Sequence, residues 1–347
     1  MASSCVGLEI TEEEVRAAEV STGKTMKILG HGAVRLPHGA AKDSEVLDRA
    51  AVATALQQLW RQAGFKSRRV VLGICSRRVL VRDYRTQAMP PEQLKRALPF
   101  QVADLLPVPV DQAVIDFYPV SQQQEELSGL LVAAVAETVT ELVDTVARAK
   151  LHVERVDLAP FGLLRSIGML TDSAETVALV HLGTHTGYVV IATQGVPHFV
   201  RIIPIELSVA VAETEELPTV EQSAANPALP PASKPRDPMT LLFGEEEPAV
   251  AAIPPEKIDE LVSQVVDTMR FHIDRSQNRR IDRVLITGNG AGIPGVYAAF
   301  KHRLAVPVRL VGAHHLSQTD AKARHGQEDL AMLTTVGLAM TGRRSWS

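Results

Sequence analysis

The 347-residue sequence has little of several features that would assign it to a particular class of protein. It contains two cysteines, Cys5 and Cys75, too few for a disulfide framework and typical of a reducing compartment. Its formal net charge is only -4, which gives no reason to expect nucleic-acid binding. The N-terminus lacks the pattern of a signal peptide, and no run of about 18 apolar residues predicts a membrane span. We therefore expect a cytoplasmic protein that reaches a membrane only through its partners.

The length and the residue pattern indicate two domains of mixed secondary structure. At roughly 150 residues per domain the chain is long enough for about two, each with a core of its own. Hydrophobic residues make up 46% and charged residues 22%, as in ordinary soluble globular proteins. Strand-like and helix-like segments alternate along the chain, which favours an α/β architecture.

A strand-turn-strand pattern occurs twice, over residues 6–20 and again over residues 177–192. A third segment, residues 283–295, is an apolar strand followed by the turn Thr-Gly-Asn-Gly-Ala-Gly-Ile-Pro-Gly. Backbone amides of such hairpins can hold phosphate groups, and glycines let the backbone approach a base or a ribose. Together the three segments predict a nucleotide cleft between two lobes.

Residues 83–157 have the pattern of a small helix-strand-strand-helix-strand unit. We predict that this subdomain is inserted into a first lobe that spans residues 1–172, and that residues 173–347 form the second lobe. Within the second lobe, residues 212–255 are rich in Pro, Glu, Ser and Ala and have almost no periodic apolar residues. Such a composition cannot offset the entropy lost on ordering, so we expect this insertion to be largely disordered.

Two segments carry a resemblance to a known family. The helix, double proline and Asp-Phe strand of residues 91–117 form the first, and the helix end, strand and glycine-rich turn of residues 269–295 form the second. The chain resembles PilM, the actin-like cytoplasmic family of type IV pilus assembly machines, which is related to the division protein FtsA. The resemblance covers nearly the whole chain. It implies an actin-like, ribonuclease-H-like duplicated two-lobed fold with a small inserted α+β subdomain.

The resemblance also implies a site for ATP and Mg²⁺ between the two hairpins. PilM-like proteins usually carry Asp-Ile-Gly-Ser at the first hairpin and Asp-Ile-Gly at the second, whereas this chain has Glu-Ile-Thr-Glu from Glu9 and His-Leu-Gly from His181. The positions that would bind the nucleotide are Glu9, Thr11, Glu12, Gly183, Thr184, Thr186, Gly288, Asn289, Gly290 and Ala291.

These departures predict a degenerate site. The acidic run Glu12 to Glu14 adds negative charge where a triphosphate would lie, and like charges about 4 Å apart repel by roughly 1 kcal/mol in water and roughly 4 kcal/mol at an effective dielectric of about 20. We expect ATP to bind weakly or not at all, with negligible hydrolysis, no catalytic residue and no metal site. The alternative, in which the segments are only tight turns of the scaffold, is favoured for the first hairpin and open for the second, whereas a functional origin is favoured for the glycine-rich turn.

The resemblance further implies that the chain binds the cytoplasmic N-terminal peptide of a PilN-like inner-membrane protein and links it to the pilus assembly ATPases. The peptide groove would lie between the first lobe and its insert, near Arg82, Tyr84 and Arg96. The plainer alternative is that the apolar side chains of the adjacent helix, residues 94–105, serve only as core. Two other functions remain open, namely an actin-fold phosphotransferase and an FtsA-like filament former, and self-association is undecided.

Overall fold

The computed structural model describes residues 4–21, 26–171, 175–207, 253–275, 280–316 and 327–340. The predicted insertion at 212–255 lies outside the described residues except for its last three. The elements of the first half are β1 (Ser4–Ile10), β2 (Glu14–Ser21), β3 (Ile28–Arg35), β4 (Ala41–Lys42), β5 (Glu45–Val46), α1 (Arg49–Ala63), β6 (Arg69–Ile74), β7 (Leu80–Gln87), α2 (Pro91–Gln101), β8 (Ala113–Gln123), β9 (Glu126–Val135), α3 (Ala136–Arg148), β10 (His152–Leu158) and α4 (Ala159–Ile167). Those of the second half are β11 (Thr176–Leu182), β12 (Thr186–Thr193), β13 (Val196–Pro204), α5 (Pro255–Arg275), β14 (Arg283–Thr287), α6 (Val296–Arg303), β15 (Val308–Leu310) and α7 (Gln327–Ala339).

Two five-stranded sheets repeat one arrangement. In the first, the strand order is β10-β6-β1-β2-β3, with β1, β2 and β3 antiparallel and with β6 and β10 parallel to β1. In the second, the order is β13-β12-β11-β14-β15, again with three antiparallel strands followed by two parallel ones. This repetition confirms the predicted duplicated, two-lobed actin-like fold.

The small inserted unit has a sheet of its own, with the order β7-β9-β8. Helix α2 covers one face of this sheet and buries Leu94, Leu98 and Val102 against Leu131. Strand β10, which the sequence suggested as the last strand of the insert, pairs instead with β6 in the first sheet, and the preceding helix α3 packs on α1. That assignment is therefore corrected: β10 follows a helix and adds in parallel to a buried sheet, as in a βαβ unit.

Local sequence signals account for the position of α1. Asp48 precedes the helix, and its carboxylate accepts hydrogen bonds from the amides of Ala50 and Ala51, each at 2.9 Å. Gly64 ends the helix in the left-handed conformation, with φ of 66°. The helix buries one apolar face, which includes Leu56, Leu59 and Trp60, against β2 and β3.

Helix α7 lies between the lobes. It packs on α4, β1 and β2, and it also touches β14 and the short helix Asn289–Gly292 that follows β14. The contacts with the first lobe are so close that a methyl group on Gly7 would lie 1.9 Å from the carbonyl oxygen of Thr335. The first hairpin and β14 of the second sheet thus contact one shared helix.

The longest helix described is α5, with 21 residues, and it alternates charged with apolar positions. Within the described ranges, no helix is both long and apolar enough to cross a membrane.

Candidate functional site

The two predicted hairpins face each other across a cleft between the lobes. The turn that joins β1 to β2 lines one side, the turn that joins β11 to β12 lines the other, and the turn between β4 and β5 also contributes. The free space is about 50 Å³, which is small beside the roughly 300–1,000 Å³ of ordinary small-molecule pockets. The lining residues are Glu9, Ile10, Thr11, Glu12, Arg16, Asp43, Ser44, Gly73, Cys75, His181, Gly183, Thr184, His185, Thr186 and Tyr188.

The predicted nucleotide-binding positions divide into two groups. Those of the two hairpins line the cleft, namely Glu9, Thr11, Glu12, Gly183, Thr184 and Thr186. Those of the glycine-rich turn, Gly288 to Ala291, are not part of its lining. The sequence did not indicate Arg16 or Tyr188, which lie on the hairpin strands β2 and β12. It did not indicate Asp43 either, because Asp43 meets the hairpins only through the tertiary fold.

The glycine-rich turn packs directly on the second hairpin. Gly288 has φ of 95°, and a methyl group there would lie 2.3 Å from the carbonyl oxygen of Leu182. Its amide donates to the carbonyl oxygen of Leu330 on α7 at 3.0 Å. A methyl group on Gly290 would lie 2.6 Å from a Leu207 side-chain carbon and 3.0 Å from the carbonyl oxygen of Gly183. Close packing of the scaffold is therefore sufficient to require glycine at both positions.

The polar groups of the first hairpin turn are used within the turn. The amide and the hydroxyl of Thr11 both donate to the carbonyl oxygen of Glu14 at 2.9 Å, and the amide of Glu14 donates back to that hydroxyl at 3.1 Å. This pattern is the hydrogen-bonded turn that Thr commonly forms. Consequently, the Thr11 side chain is already satisfied where the family usually carries a small glycine.

Glu9 is buried and points to α7 rather than to open solvent. It is 5% exposed, and the hydroxyl of Thr335 donates to its Oε2 at 2.9 Å. Burial raises the pKa of this carboxyl group, while the charge of Arg16 and the Thr335 hydrogen bond act in the opposite direction. The acidic position of the first hairpin is thus used in an internal contact.

Arg16 supplies a buried positive charge beside Glu9. It is 3% exposed, its Nε lies 3.5 Å from a carboxylate oxygen of Glu14, and its Nη1 donates to the carbonyl oxygen of Ala331 at 3.4 Å. Nε is too far from Glu14 for a good hydrogen bond and has no other acceptor among the described residues. The guanidinium therefore places a buried positive charge beside Glu9.

His181 stands at the acidic position of the second hairpin and is also buried, at 4% exposure. Its ring stacks on Tyr188, with centroids 4.6 Å apart and planes 5° from parallel. Burial first, and then the charge of Arg16, lower the pKa of His181 to about 3, so the ring is neutral near pH 7. Thr334 on α7 connects the pair, because its hydroxyl lies 2.7 Å from the Tyr188 hydroxyl and 3.5 Å from His181 Nδ1.

Carboxylates of the first lobe reach directly across the cleft to the second hairpin. The hydroxyl of Thr184 donates to Glu13 at 3.3 Å, and Nε2 of His185 lies 3.3 Å from the other oxygen of the same carboxylate. The hydroxyl of Thr186 donates to Asp43 at 3.4 Å. The two hairpins are therefore in contact through side chains.

The side chains at the two acidic hairpin positions make contacts within the protein. Mg²⁺ prefers carboxylate and water oxygens in a regular octahedral shell, whereas Glu9 is engaged by Thr335 and His181 is an imidazole stacked on an aromatic ring. Within the part of the chain that the structure describes, no group of three or more His, Cys, Asp or Glu side chains could hold a metal ion. The cleft lining includes the carboxylates of Glu9, Glu12 and Asp43.

The predicted peptide-binding residues lie on the inserted unit. Arg82 and Tyr84 are two residues apart on β7 and therefore lie on the same face of the strand. The Tyr84 ring packs edge-on against Phe117, with centroids 6.3 Å apart. Arg82 and Arg96 are exposed, and neither has an ion pair within the described segments. Phe100, also on α2, is 85% exposed, so this helix has an apolar side chain that does not belong to the core.

A second, small pocket of about 10 Å³ lies between the insert and the first lobe. It follows the start of α3, the end of β9 and the loop before β7, and it is mostly apolar. Its lining is Ser44, Glu45, Ile74, Ser76, Arg78, Val79, Ala134, Val135, Thr138, Val139 and Leu142. The sequence predicted a groove at this junction but centred it on residues 81–84 and 94–105.

The comparisons with known proteins agree with this architecture. The solved structure described as the PilM-PilN type IV pilus biogenesis complex contains a chain that is 18% identical, with 98% of each chain covered and a TM-score of 0.77. The ethanolamine utilization protein EutJ from Carboxydothermus hydrogenoformans is 11% identical, with 99% of this chain and 91% of that chain covered and a TM-score of 0.51. These likenesses show the fold.

No curated protein sequence matches the chain. A family model does match: the model described as type IV pilus assembly protein PilM aligns with residues 7–202, more than half of the chain. This chain therefore belongs to the PilM family of type IV pilus assembly proteins.

Proposed function

We propose that this chain is a cytoplasmic adaptor of type IV pilus assembly that binds the cytoplasmic N-terminal segment of a PilN-like protein without depending on ATP hydrolysis. The observation that carries the proposal is the use of both hairpin acidic positions for internal contacts, Glu9 with Thr335 and His181 with Tyr188. A PilM-family scaffold with such a cleft has lost the groups that would organise Mg²⁺, while it keeps the inserted unit.

A peptide partner is supported by the chemistry of the inserted unit. Arg82 and Arg96 present charges that have no described ion-pair partner, and a small apolar pocket of about 10 Å³ lies where the inserted unit meets the first lobe. A short segment with carboxylate and apolar side chains could contact both features. We further propose that the PilN-like partner recruits the chain to the inner face of the cytoplasmic membrane and that the adaptor connects it with the assembly ATPases.

A peptide titration tests the adaptor proposal. A fluorescent N-terminal peptide of the PilN-like protein encoded with this chain is titrated with wild-type protein and with Arg82→Glu and Arg96→Glu, and anisotropy is measured. We expect saturable binding that each charge reversal weakens by roughly threefold to tenfold, since one exposed charge pair contributes up to about 1 kcal/mol and reversal turns attraction into repulsion.

Arg85→Glu is the matched control. Arg85 lies on the same strand but on its opposite face, and it already pairs with Glu126 at 3.5 Å. The control should bind the peptide as wild type does. Absence of binding by the wild-type chain would contradict the adaptor proposal, and equal losses in all three variants would show nonspecific charge attraction instead of a site.

Calorimetry with Mg-ATP tests the degenerate cleft separately. We expect no saturable heat at concentrations at which functional actin-like ATPases are saturated, and no release of phosphate. Tight binding accompanied by turnover would contradict this part of the proposal and leave the peptide result unaffected.

A further inference from the structure

Three consecutive residues form the tip of the second hairpin, and each of them contacts a first-lobe carboxylate. Thr184 and His185 share the carboxylate of Glu13, one on each oxygen, at 3.3 Å. Thr186 contacts Asp43 at 3.4 Å. At these lengths the individual hydrogen bonds are weak, but three neighbouring donors directed at two anions form a consistent pattern.

Both carboxylates are positioned by their own lobe. Glu13 is in the turn between β1 and β2, and its carbonyl oxygen accepts a hydrogen bond of 2.7 Å from the amide of Leu36. Asp43 is the first residue of the turn between β4 and β5, where Asp43 and Ser44 have φ of 49° and 60°. Such a turn brings two strands together tightly and fixes the direction of its side chains.

Further contacts hold the Asp43 turn in place. The guanidinium of Arg77 binds the Asp43 carboxylate through Nε and Nη2, at distances from 2.5 to 3.1 Å. The hydroxyl of Ser44 donates to the carbonyl oxygen of Cys75 at 3.1 Å. Contacts within the first lobe therefore fix the Asp43 carboxylate independently of Thr186.

The donors at the tip of the second hairpin are of the kind that bind anions. Hydroxyl groups and an imidazole at a tight turn can hold the oxygens of a phosphate group, as turn amides do. We propose that Glu13, an exposed carboxylate supported by Asp43, is an intramolecular anion that occupies the polar donors of the second hairpin and helps to hold the two lobes together in the absence of nucleotide. This inference rests on the proposed function only in assuming that Mg-ATP does not occupy the cleft.

Hydrogen exchange of the full-length chain tests the inference. We compare wild type with Glu13→Gln, which keeps the size of the side chain and removes its charge, and follow the amides of residues 183–187 by mass spectrometry. We expect these amides to exchange roughly threefold faster in the variant, a factor that corresponds to about 0.7 kcal/mol and lies in the range of exposed charge pairs. The combined variant Glu13→Gln with Asp43→Asn should exchange faster still.

Glu12→Gln is the matched control. Glu12 lines the same cleft and loses the same charge in the variant, but it makes no hydrogen bond or ion pair with the second lobe among the described residues. Exchange of residues 183–187 should be unchanged in this control. Circular dichroism confirms that each variant is folded, as expected for exposed or half-buried positions on a turn.

A titration with inorganic phosphate without metal completes the test. Removing the intramolecular anion should expose the donors, so we expect Glu13→Gln to bind phosphate at least about fivefold more tightly than wild type does. Unchanged exchange and unchanged phosphate affinity in Glu13→Gln, or equal changes in Glu12→Gln, would overturn the inference. Tight Mg-ATP binding by the wild-type chain would instead overturn the proposed degenerate cleft, so the two failures are distinguishable.

Discussion

The buried imidazole of His181 should make the folded chain sensitive to mild acid. In the unfolded chain this ring takes up a proton as the pH falls through 6.5, whereas burial lowers its pKa in the fold to about 3. The unfolded state therefore binds more protons between these values, and the contribution of His181 to stability is complete above pH 6.5 and is lost progressively toward pH 3. The full interval corresponds to at most about 5 kcal/mol, and the part between pH 7.5 and pH 5 to about 2 kcal/mol.

Urea unfolding measured every half unit from pH 5 to pH 7.5 tests this expectation. His181→Phe keeps a ring that can stack on Tyr188, and His181→Asn keeps a polar atom near Thr334, but neither side chain takes up a proton. Both variants should lose less stability than wild type between pH 7.5 and pH 5, by about 2 kcal/mol, whatever their stability at pH 7.5.

Glu9 titrates in the same cluster, but its contribution is present in every variant. Because burial raises the Glu9 pKa, its stabilising contribution is present at low pH and is lost as the pH rises through the folded value, opposite to His181. The difference between wild type and variant therefore isolates the imidazole. His152→Asn, which removes an exposed ring on β10, is the control for the general effect of replacing a histidine. Identical pH dependence in wild type and both His181 variants would refute the reasoning.

Three further changes probe the packing and chemistry around the cleft. Gly337→Ala would put a methyl group 1.9 Å from a carbonyl oxygen of α4 and should lower the urea-unfolding free energy by about 1–3 kcal/mol, whereas Gly168→Ala, with its nearest atom at 3.4 Å, should be tolerated. Thr335→Val removes the donor to Glu9 and should cost about 1–3 kcal/mol at pH 8 and less at pH 5, where the carboxyl keeps more of its proton; equal losses at the two pH values would contradict this. Burial raises the pKa of the Cys75 thiol, so peptide-level alkylation at pH 8 should be at least about tenfold slower in the folded chain than in urea, and equal rates would show an accessible thiolate.

The sequence predicted those parts of the fold that depend on local patterns. Alternating apolar residues on either side of a short polar turn identified both hairpins, and their recurrence indicated the duplication that the two sheets confirm. The sequence pattern could not show which sheet contains β10, because the pairing of a parallel strand depends on the whole tertiary fold.

The candidate site was only partly predictable for the same reason. The replacements Glu9 and His181 were visible as departures from a motif, but their buried environments were not. Thr335 meets Glu9 from 326 positions away in the sequence, and no spacing rule connects them. Asp43 gave a weaker turn signal than an Asn-Gly or Asp-Gly pair would have given, since Ser follows it.

The position of α7 restricts how the lobes can move. This helix touches β1 and β2 on one side and β14 on the other, and glycines at the contacts bring backbones almost together. A hinge needs a connection that bends while the bodies it joins stay intact, and α7 offers no such freedom because it belongs to both interfaces. Any rearrangement of the lobes must then be a shear, in which side chains slide along the helix by small steps, and large rotations would require the helix to detach from one of the sheets.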